Sequence, residues 1–520
     1  MRLTKTGLSI IYLLSFVFLI SGTILFNGCK DNKKDTGDAF KPTGDTIADG
    51  KKLVAMYCTK CHAEVPADAL NKDVWEFHTL PGMASYVKVS AYGTAYYKKP
   101  TDTGGVSLDN WQRIRDYYQK VAPRELPAAT PPTPLLNDWA GFTVRKPAET
   151  SLITYTSMVT VNQSTHKIYS SDLLTSKLNE WDENLKSRDV AQLPSPGVDI
   201  SFIKDDKGTD AAFVTSIGEY KPMDFPNGKL VKVRLDEKTE ITVPTVVASE
   251  ISRPVQSVPG DFNKDGMTDW VICSQGKKKG AVYLLTQKAD HSYSQNSIID
   301  KAGAVQVRVG DFNNDGWPDL MVLFGSGDEG LWLFLNDQKG GFTQKNLLRF
   351  PPVYGSTSFQ LIDMNHDGKL DLIYTCGYNF HDSRIFKPYH GLYIYTNQGD
   401  WNFKQSYFYP INGCTKAIAT DFDGDGDIDI ATTAFFADLK NKPGEGFIYF
   451  EQDKAMNFKP HAIPVSKYGR WMTMDTISKA KGRPDIVLGN YAIGMSIDPT
   501  LKPFWNTKLP LIVLENHNKN

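Results

Sequence analysis

The chain has 520 residues, 41% of them hydrophobic and 12% aromatic, enough for two to four domains or for one large repeat array. Its 58 basic and 59 acidic residues leave a formal net charge of −1. That balance argues against a binder of nucleic acid or another polyanion, which needs a basic excess, and the charges form no acidic or basic tail.

The N-terminus reads as a targeting segment. Arg2 and Lys5 precede a mostly apolar run from Leu8 to Phe26. The run stops at "FNGC", with Gly28 before Cys29, and this resembles a bacterial lipobox. The resemblance implies acylation of Cys29 and removal of residues 1–28. An uncleaved membrane anchor is the alternative, since the run is almost long enough to span. Either places the body of the protein outside the cytoplasm. A polar tract, residues 29–45, then serves as a tether.

Next comes "MYCTKCHAE", Met56 to Glu64. Thiols at Cys58 and Cys61 lie on one face of a helical turn, spaced to add across the two vinyl groups of a porphyrin. His62 then falls under the iron as a proximal ligand. A redox dithiol would need a thioredoxin-like context and zinc a second ligand pair; neither is visible. Asp45 or Thr46 can cap a helix that runs into the motif and carries Ile47, Val54 and Tyr57 at helical spacing. Downstream, Ser107 caps a second amphipathic helix with Leu108, Trp111, Ile114, Tyr117, Tyr118 and Val121 on its apolar face, and Pro123 marks its end. Residues 46–124 thus resemble a class I cytochrome c domain, a small all-α unit in which a small residue, here Gly50, lets the two helices cross closely. The resemblance implies one covalent haem c and a distal methionine, for which Met83 in "FHTLPGMASYV" is the candidate. Met83 as plain core filler, and His78 as a rival ligand, are the alternatives.

Residues 125–143, with four prolines between Pro127 and Pro134, read as an extended linker. From Val144 to the end the chain is β-branched, aromatic, rich in turns and repetitive. "DFNKDGMTDW", "DFNNDGWPDL", "DMNHDGKLDL" and "DFDGDGDIDI" begin at Asp261, Asp311, Asp363 and Asp421, spaced 50, 52 and 58 residues apart. Degenerate copies keep Asp206 and Asp210 upstream, and Asp475 and Asp485 downstream. A second marker, an apolar strand and a polar turn such as "LWLFLNDQKGGF", recurs seven times. Residues 144–520 are therefore expected to close into an all-β propeller of seven four-stranded blades, which removes exposed sheet edges.

Each intact copy carries oxygens at positions 1, 3, 5 and 9 and glycine at 6, the layout of a loop that wraps a hard cation. A plain Asp-Gly turn is the bland alternative. The stretch resembles the FG-GAP or VCBS repeats of integrin α type propellers, whose pattern implies up to four Ca2+ ions. It maps their side-chain ligands onto Asp261, Asn263, Asp265 and Asp269; Asp311, Asn313, Asp315 and Asp319; Asp363, Asn365, Asp367 and Asp371; and Asp421, Asp423, Asp425 and Asp429. The carbonyls of Met267, Trp317, Lys369 and Asp427 fill position 7. The last loop, with most carboxylates, is expected to bind most tightly.

Of the remaining cysteines, Cys273, Cys376 and Cys414 allow one disulfide but read better as buried free thiols. Long insertions around residues 376–395, 435–446 and 490–508 supply Tyr378, Phe380, Tyr389, Phe436 and Trp505, which either stack on a glycan or protein ligand or merely pack the loops. His381, Arg384 and His390 are polar candidates there, with no pairing legible. The expected role is an extracytoplasmic, membrane-anchored haem carrier that serves a redox partner protein, with the propeller as a docking platform and no catalytic residues. A cytochrome-linked propeller dehydrogenase, and a surface binding module with an accessory haem, are the alternatives.

Overall fold

The computed structural model describes residues 40–204, 208–235, 241–379, 384–454, 456–479, 483–495 and 498–517. Cys29, Phe380, His381 and Asp206 lie outside the described residues. Thr43–Asn520 forms one compact unit. Among the described residues no helix is long and apolar enough to cross a membrane.

The first helix, Thr46–Tyr57, starts where Asp45 accepts hydrogen bonds from Ile47 N and Ala48 N. Asp49, buried one turn on, holds the entering chain by accepting from Thr43 N and Thr43 Oγ1, both at 2.8 Å. The last helix of this segment, Leu108–Val121, is capped by Ser107, whose hydroxyl accepts from Asn110 N. Trp111, Ile114, Tyr117 and Tyr118 are its buried face, while Leu108 and Val121 are exposed. The two helices cross at Gly50, where a Cβ would stand 2.1 Å from Tyr117 Cβ and 3.0 Å from Arg113 O. Gly50→Ala is expected to cost the segment about 1–2 kcal/mol net, because overpacking outweighs the roughly 1 kcal/mol gained in helix propensity. Denaturant titration followed by helical circular dichroism measures it. The segment is not the all-α unit expected from the sequence: Ser90–Tyr92 pairs with Ala95–Tyr97 in a short antiparallel hairpin.

Seven four-stranded antiparallel sheets follow. Numbered in chain order, blades 1 to 6 span Thr156–Gln192, Gly197–Ile251, Pro254–Ile299, Ala304–Arg349, Ser356–Pro410 and Cys414–Ala462. Blade 7 takes three strands from Trp471–Asn516 and its outermost from Phe142–Arg145, near the start of the propeller. That pairing closes the ring, so the propeller begins at Phe142, inside the expected linker. The linker is also not free-standing, because Leu136 bridges His461 on the outer strand of blade 6 and Tyr409 Oη donates to Thr133 O. Its apolar Leu135 packs on the core between blades 5 and 6. Second strands are buried on both faces, as in Asp319–Phe324 and Asp371–Cys376, so they read as continuous apolar runs rather than alternations.

Candidate functional site

Cys58 closes the first helix by donating its N–H to Val54 O, and Cys61 N turns back to Cys58 O at 3.3 Å. Neither thiol is in a disulfide, although they stand three residues apart. Burial pushes the Cys58 thiol up to about 11, with Cys61 and Glu64 adding to the rise. A reactive dithiol needs the opposite shift. His62 is buried, and its Nδ1 lies 2.7 Å from Ala63 O, which fixes the ring through one nitrogen and leaves Nε2 as an acceptor. Trp75 stacks on Tyr118 at 3.8 Å between centroids and donates Nε1 to Ala67 O. Met83 is half-buried on the short helix Leu80–Ala84, and His78 is exposed on the preceding turn. Two buried polar atoms of the segment, Tyr96 Oη and Trp111 Nε1, have no partner but each other, their rings lying edge-on at 5.5 Å.

The four aspartate loops share one backbone path. Position 4 is left-handed at Lys264, Asn314, His366 and Gly424, and so is the glycine at position 6, at φ 83°, 82°, 81° and 99°. The carboxylate at position 1 holds the turn, as where Asp261 accepts from Asp265 N and Gly266 N, and Asp311 from Asp315 N and Gly316 N. In the first two loops the amide at position 3 donates to the carboxylate at position 5, Asn263 to Asp265 and Asn313 to Asp315. In the third, Lys369 Nζ takes that carboxylate, on Asp367, at 2.9 Å. In the fourth, Asp421, Asp423 and Asp429 bring carboxylate oxygens within 4.8 Å of one another. Asp423 is accordingly raised, chiefly by burial, with Asp425 and Asp421 contributing repulsion.

The aspartate at position 9 behaves differently. Asp269, Asp319, Asp371 and Asp429 are fully buried. Each joins its own loop to the end of the third strand of its blade. Asp319 accepts from Phe312 N and Asn336 N, and Asp371 from Met364 N and Asn397 N. Asp269 uses Gln287 N, and Asp429 uses Gln452 N and the Tyr449 hydroxyl. The clasp extends between blades, because Asn336 Nδ2 donates to Phe262 O and Asn516 Nδ2 to Phe422 O. The downstream degenerate copy retains this part, as Asp485 accepts from Asn516 N at the end of the third strand, whereas Asp210 of the upstream copy is exposed and pairs with Lys204. Asp475, in contrast, sits in the innermost strand of blade 7 and accepts from Val161 N, so it is not a loop residue.

Residues 261–322 and 311–374 match the family model described as FG-GAP-like repeat. The chain carries FG-GAP-like repeats in a seven-bladed β-propeller. A stretch of 183 residues is 33% identical to the T-cell immunomodulatory protein homolog of Plasmodium falciparum, covering 32% of this chain and 23% of that protein. The chain thus spans about a quarter of the length of this curated relative. Among solved structures, a catalytically inactive virginiamycin B lyase from Staphylococcus aureus is similar at 12% identity and TM-score 0.44, over 72% of this chain and 99% of that one. The WD40 propeller domain of Doa1 is similar at 11% identity and TM-score 0.43, over 72% and 97%.

Within each FG-GAP-like blade the innermost strand starts at the end where the second strand finishes, as Pro254 pairs with Ser274 and Gly260 with Asp269. The aspartate loops therefore occupy one face of the ring. The long insertions, residues 377–390, 435–446 and 491–510, connect second to third strands and occupy the other. Of the two roles open to their aromatics, Phe436 and Trp505 take that of packing the loops, while Phe386 and Phe504 are exposed. Phe436 and Trp505 are buried, and Trp505 Nε1 donates to Ala492 O. His390 is fully buried, with burial and the neighbouring Lys387 holding it neutral. Tyr389 stacks on Tyr354 and donates its hydroxyl to Ala69 O of the helical segment at 3.0 Å. Lys278, from the corresponding loop of blade 3, stands 5.4 Å from the Tyr86 ring. The helical segment thus touches the insertion face. Cys273, Cys376 and Cys414 are buried free thiols.

Beneath the Tyr389 contact, Glu329 is fully buried and accepts from Gly355 N, Ser356 N and the Ser356 hydroxyl. Burial outweighs these bonds and pushes its carboxyl up to about 8. The folded chain then holds a proton that the unfolded chain, near pKa 4.3, has released, so stability falls as pH rises between those values. Glu329→Gln is expected to flatten this part of the pH–stability curve between about pH 5 and 8, whatever constant cost it carries. Thermal midpoints at several pH values, against the parent protein, check the slope.

Proposed function

We propose that the protein is an extracytoplasmic, lipid-anchored electron-transfer protein, in which residues 46–124 hold one haem c and the FG-GAP-like propeller is the docking platform for a redox partner. The observation that carries the reading is the state of the attachment motif: two free thiols three residues apart, with His62 pinned through Nδ1 so that Nε2 faces away from its carbonyl partner. Cys58 and Cys61 hold the group by thioethers, His62 is the proximal ligand and Met83 the distal candidate. A haem so held exchanges single electrons at a potential set by its axial ligands and surroundings. Tyr96 Oη and Trp111 Nε1, buried with no neighbour but each other to bond, are donors suited to a propionate. Ala63 O orients the His62 ring, and the Gly50 crossing sets the distance between the helices that flank it. Acylation of Cys29 supplies the membrane anchor and the compartment in which haem attachment takes place.

Calcium belongs to the same proposal as a brace. Asp421, Asp423 and Asp425 give the fourth loop the densest oxygen set, and the first three loops offer Asp261, Asp311, Asp363 and their partners at positions 3 and 5. No exchangeable substrate position is needed for such a role.

The test is an absorbance spectrum of protein matured in the periplasm, oxidised and then reduced with dithionite, followed by a pyridine haemochrome assay. One c-type haem per chain and a weak red band lost in Met83→Ala are expected. Absence of covalent haem sinks the electron-transfer reading. A red band unchanged in Met83→Ala transfers the distal position to another residue.

A further inference from the structure

At the centre of the insertion face, loops from several blades meet in one aromatic cluster. Phe435, Phe436 and Tyr491 are its buried part, and Tyr155, Tyr220 and Tyr378 pack on them with partial exposure. Tyr491 lies edge-on to Tyr155 at 5.1 Å and near-parallel to Tyr220 at 5.9 Å. The cluster therefore joins blades 1, 2, 5, 6 and 7 around the mouth of the ring.

Two guanidinium groups stand in this cluster. Arg470 is buried, lies 3.9 Å from the centroid of the Phe435 ring and donates to the carbonyls of Phe435, Gly494 and Met495. Arg253 donates Nε to Tyr220 O at 3.3 Å, and its Nη1 is buried without any partner. No carboxylate of the described residues pairs with either. Asp172 acts on Tyr491 only at a distance. Its oxygens already accept from Tyr155 N at 2.6 Å and Leu174 N at 2.8 Å.

Arg253 also holds an unfavourable backbone conformation, at φ 48°, which glycine adopts freely and a long side chain does not. Burying a guanidinium donor without a counter-charge is costly, and here strain is added to that cost. The backbone of Arg253 accepts from Gln275 N, but its Nη1 satisfies nothing in the blade. The strain and the unmet donor are both accounted for by an occupant that supplies the missing acceptor. The guanidinium fork fits a carboxylate, and the surrounding ring faces fit a flat apolar body.

We propose that Arg253, with Arg470 in the same cluster and the partly exposed Tyr220 and Tyr378 beside it, forms a binding site for a small organic carboxylate with an aromatic or other planar apolar body. The site lies wholly in the propeller and does not rest on the haem reading, so it stands or falls separately. Through Tyr389 the helical segment touches the same face, which would place a bound carboxylate on the side of the propeller that carries the redox segment.

The test is calorimetric titration of the full mature protein with benzoate, with benzamide as its uncharged counterpart and with inorganic phosphate. Benzoate is expected to saturate one site, and benzamide and phosphate to bind at least tenfold more weakly, a difference of about 1.4 kcal/mol or more. Arg253→Gln should lose benzoate affinity at least tenfold. Arg253→Gly, which suits the backbone and guards against misfolding of the first variant, should do the same with an undiminished melting temperature. Arg308→Gln, on an innermost strand and facing Asp199 and Asp475, should bind benzoate as the parent does. No benzoate binding, equal binding of benzamide or phosphate, retention of affinity in both Arg253 variants, or loss in Arg308→Gln would each overturn the proposal.

Discussion

Cys58→Ala combined with Cys61→Ala is expected to abolish all haem that survives acid–acetone extraction, while the far-ultraviolet signature of the propeller is unchanged. The two thiols project from a helix end and the turn that follows it, and they contribute nothing to the blade cores. Their removal therefore separates cofactor attachment from folding of the larger body. The single variants should each keep one thioether, shifting the pyridine haemochrome band towards that of a free vinyl group. His62→Ala is a different kind of change. It removes a buried ring held by Ala63 O, so both the proximal position and local packing are lost. If the double variant still carries extraction-resistant haem, attachment lies elsewhere and the reading of residues 58–62 fails. If the parent protein instead forms a Cys58–Cys61 disulfide, a dithiol function replaces it. The raised Cys58 thiol, at about 11, bears on rate: alkylation of Cys58 at neutral pH should be slow in protein made without haem.

What was legible in the sequence was what repeats or what lies close in the chain. The caps at Asp45 and Ser107, and Gly50 as the crossing point, are local features, and each has its structural counterpart. Seven blades could be counted because the marker strand recurs, and the aspartate loops because positions 1, 3, 5 and 6 lie within one turn. The position-9 aspartates were visible as residues but not as clasps. Their partners Asn336, Asn397 and Gln287 lie 17, 26 and 18 residues away, across a strand pair whose register is set by folding. The closing strand Phe142–Arg145 was hidden for a similar reason, since its partner Leu511–Asn516 lies at the other end of the chain. Arg253 and Arg470 carried no motif at all. Their only shared signal is position, each falling one residue or less before an innermost strand, at Pro254 and Trp471. In the long insertions, burial divides the aromatics in a way spacing does not foretell: Phe436 and Trp505 turn inward, while Phe386 and Phe504 are exposed.

The division of labour inside the FG-GAP-like loops yields a prediction of comparable size. Asp319→Ala should destabilise the propeller by about 3 kcal/mol whether or not calcium is present, because it strands the N–H groups of Phe312 and Asn336 inside the blade. Additional loss is expected where Asn336, no longer held, releases its bond to Phe262 O of the preceding blade. Asp423→Asn should behave in the opposite way. Asp423 lies at the rim of the fourth loop beside exposed residues, and its carboxylate accepts one backbone bond, from Asp425 N. In excess chelator the change should be worth less than about 0.5 kcal/mol, or even stabilise by relieving repulsion with Asp421 and Asp425. In calcium it should erase the rise in melting temperature contributed by that loop, since a ligand bound only to the folded state stabilises in proportion to the logarithm of its saturation. Melting curves of the three proteins in chelator and in graded calcium distinguish the roles. Equal losses for Asp423→Asn in both conditions would make the loop a structural turn without a metal. An Asp319→Ala deficit that appears only with calcium would make the buried aspartate a ligand first and a clasp second.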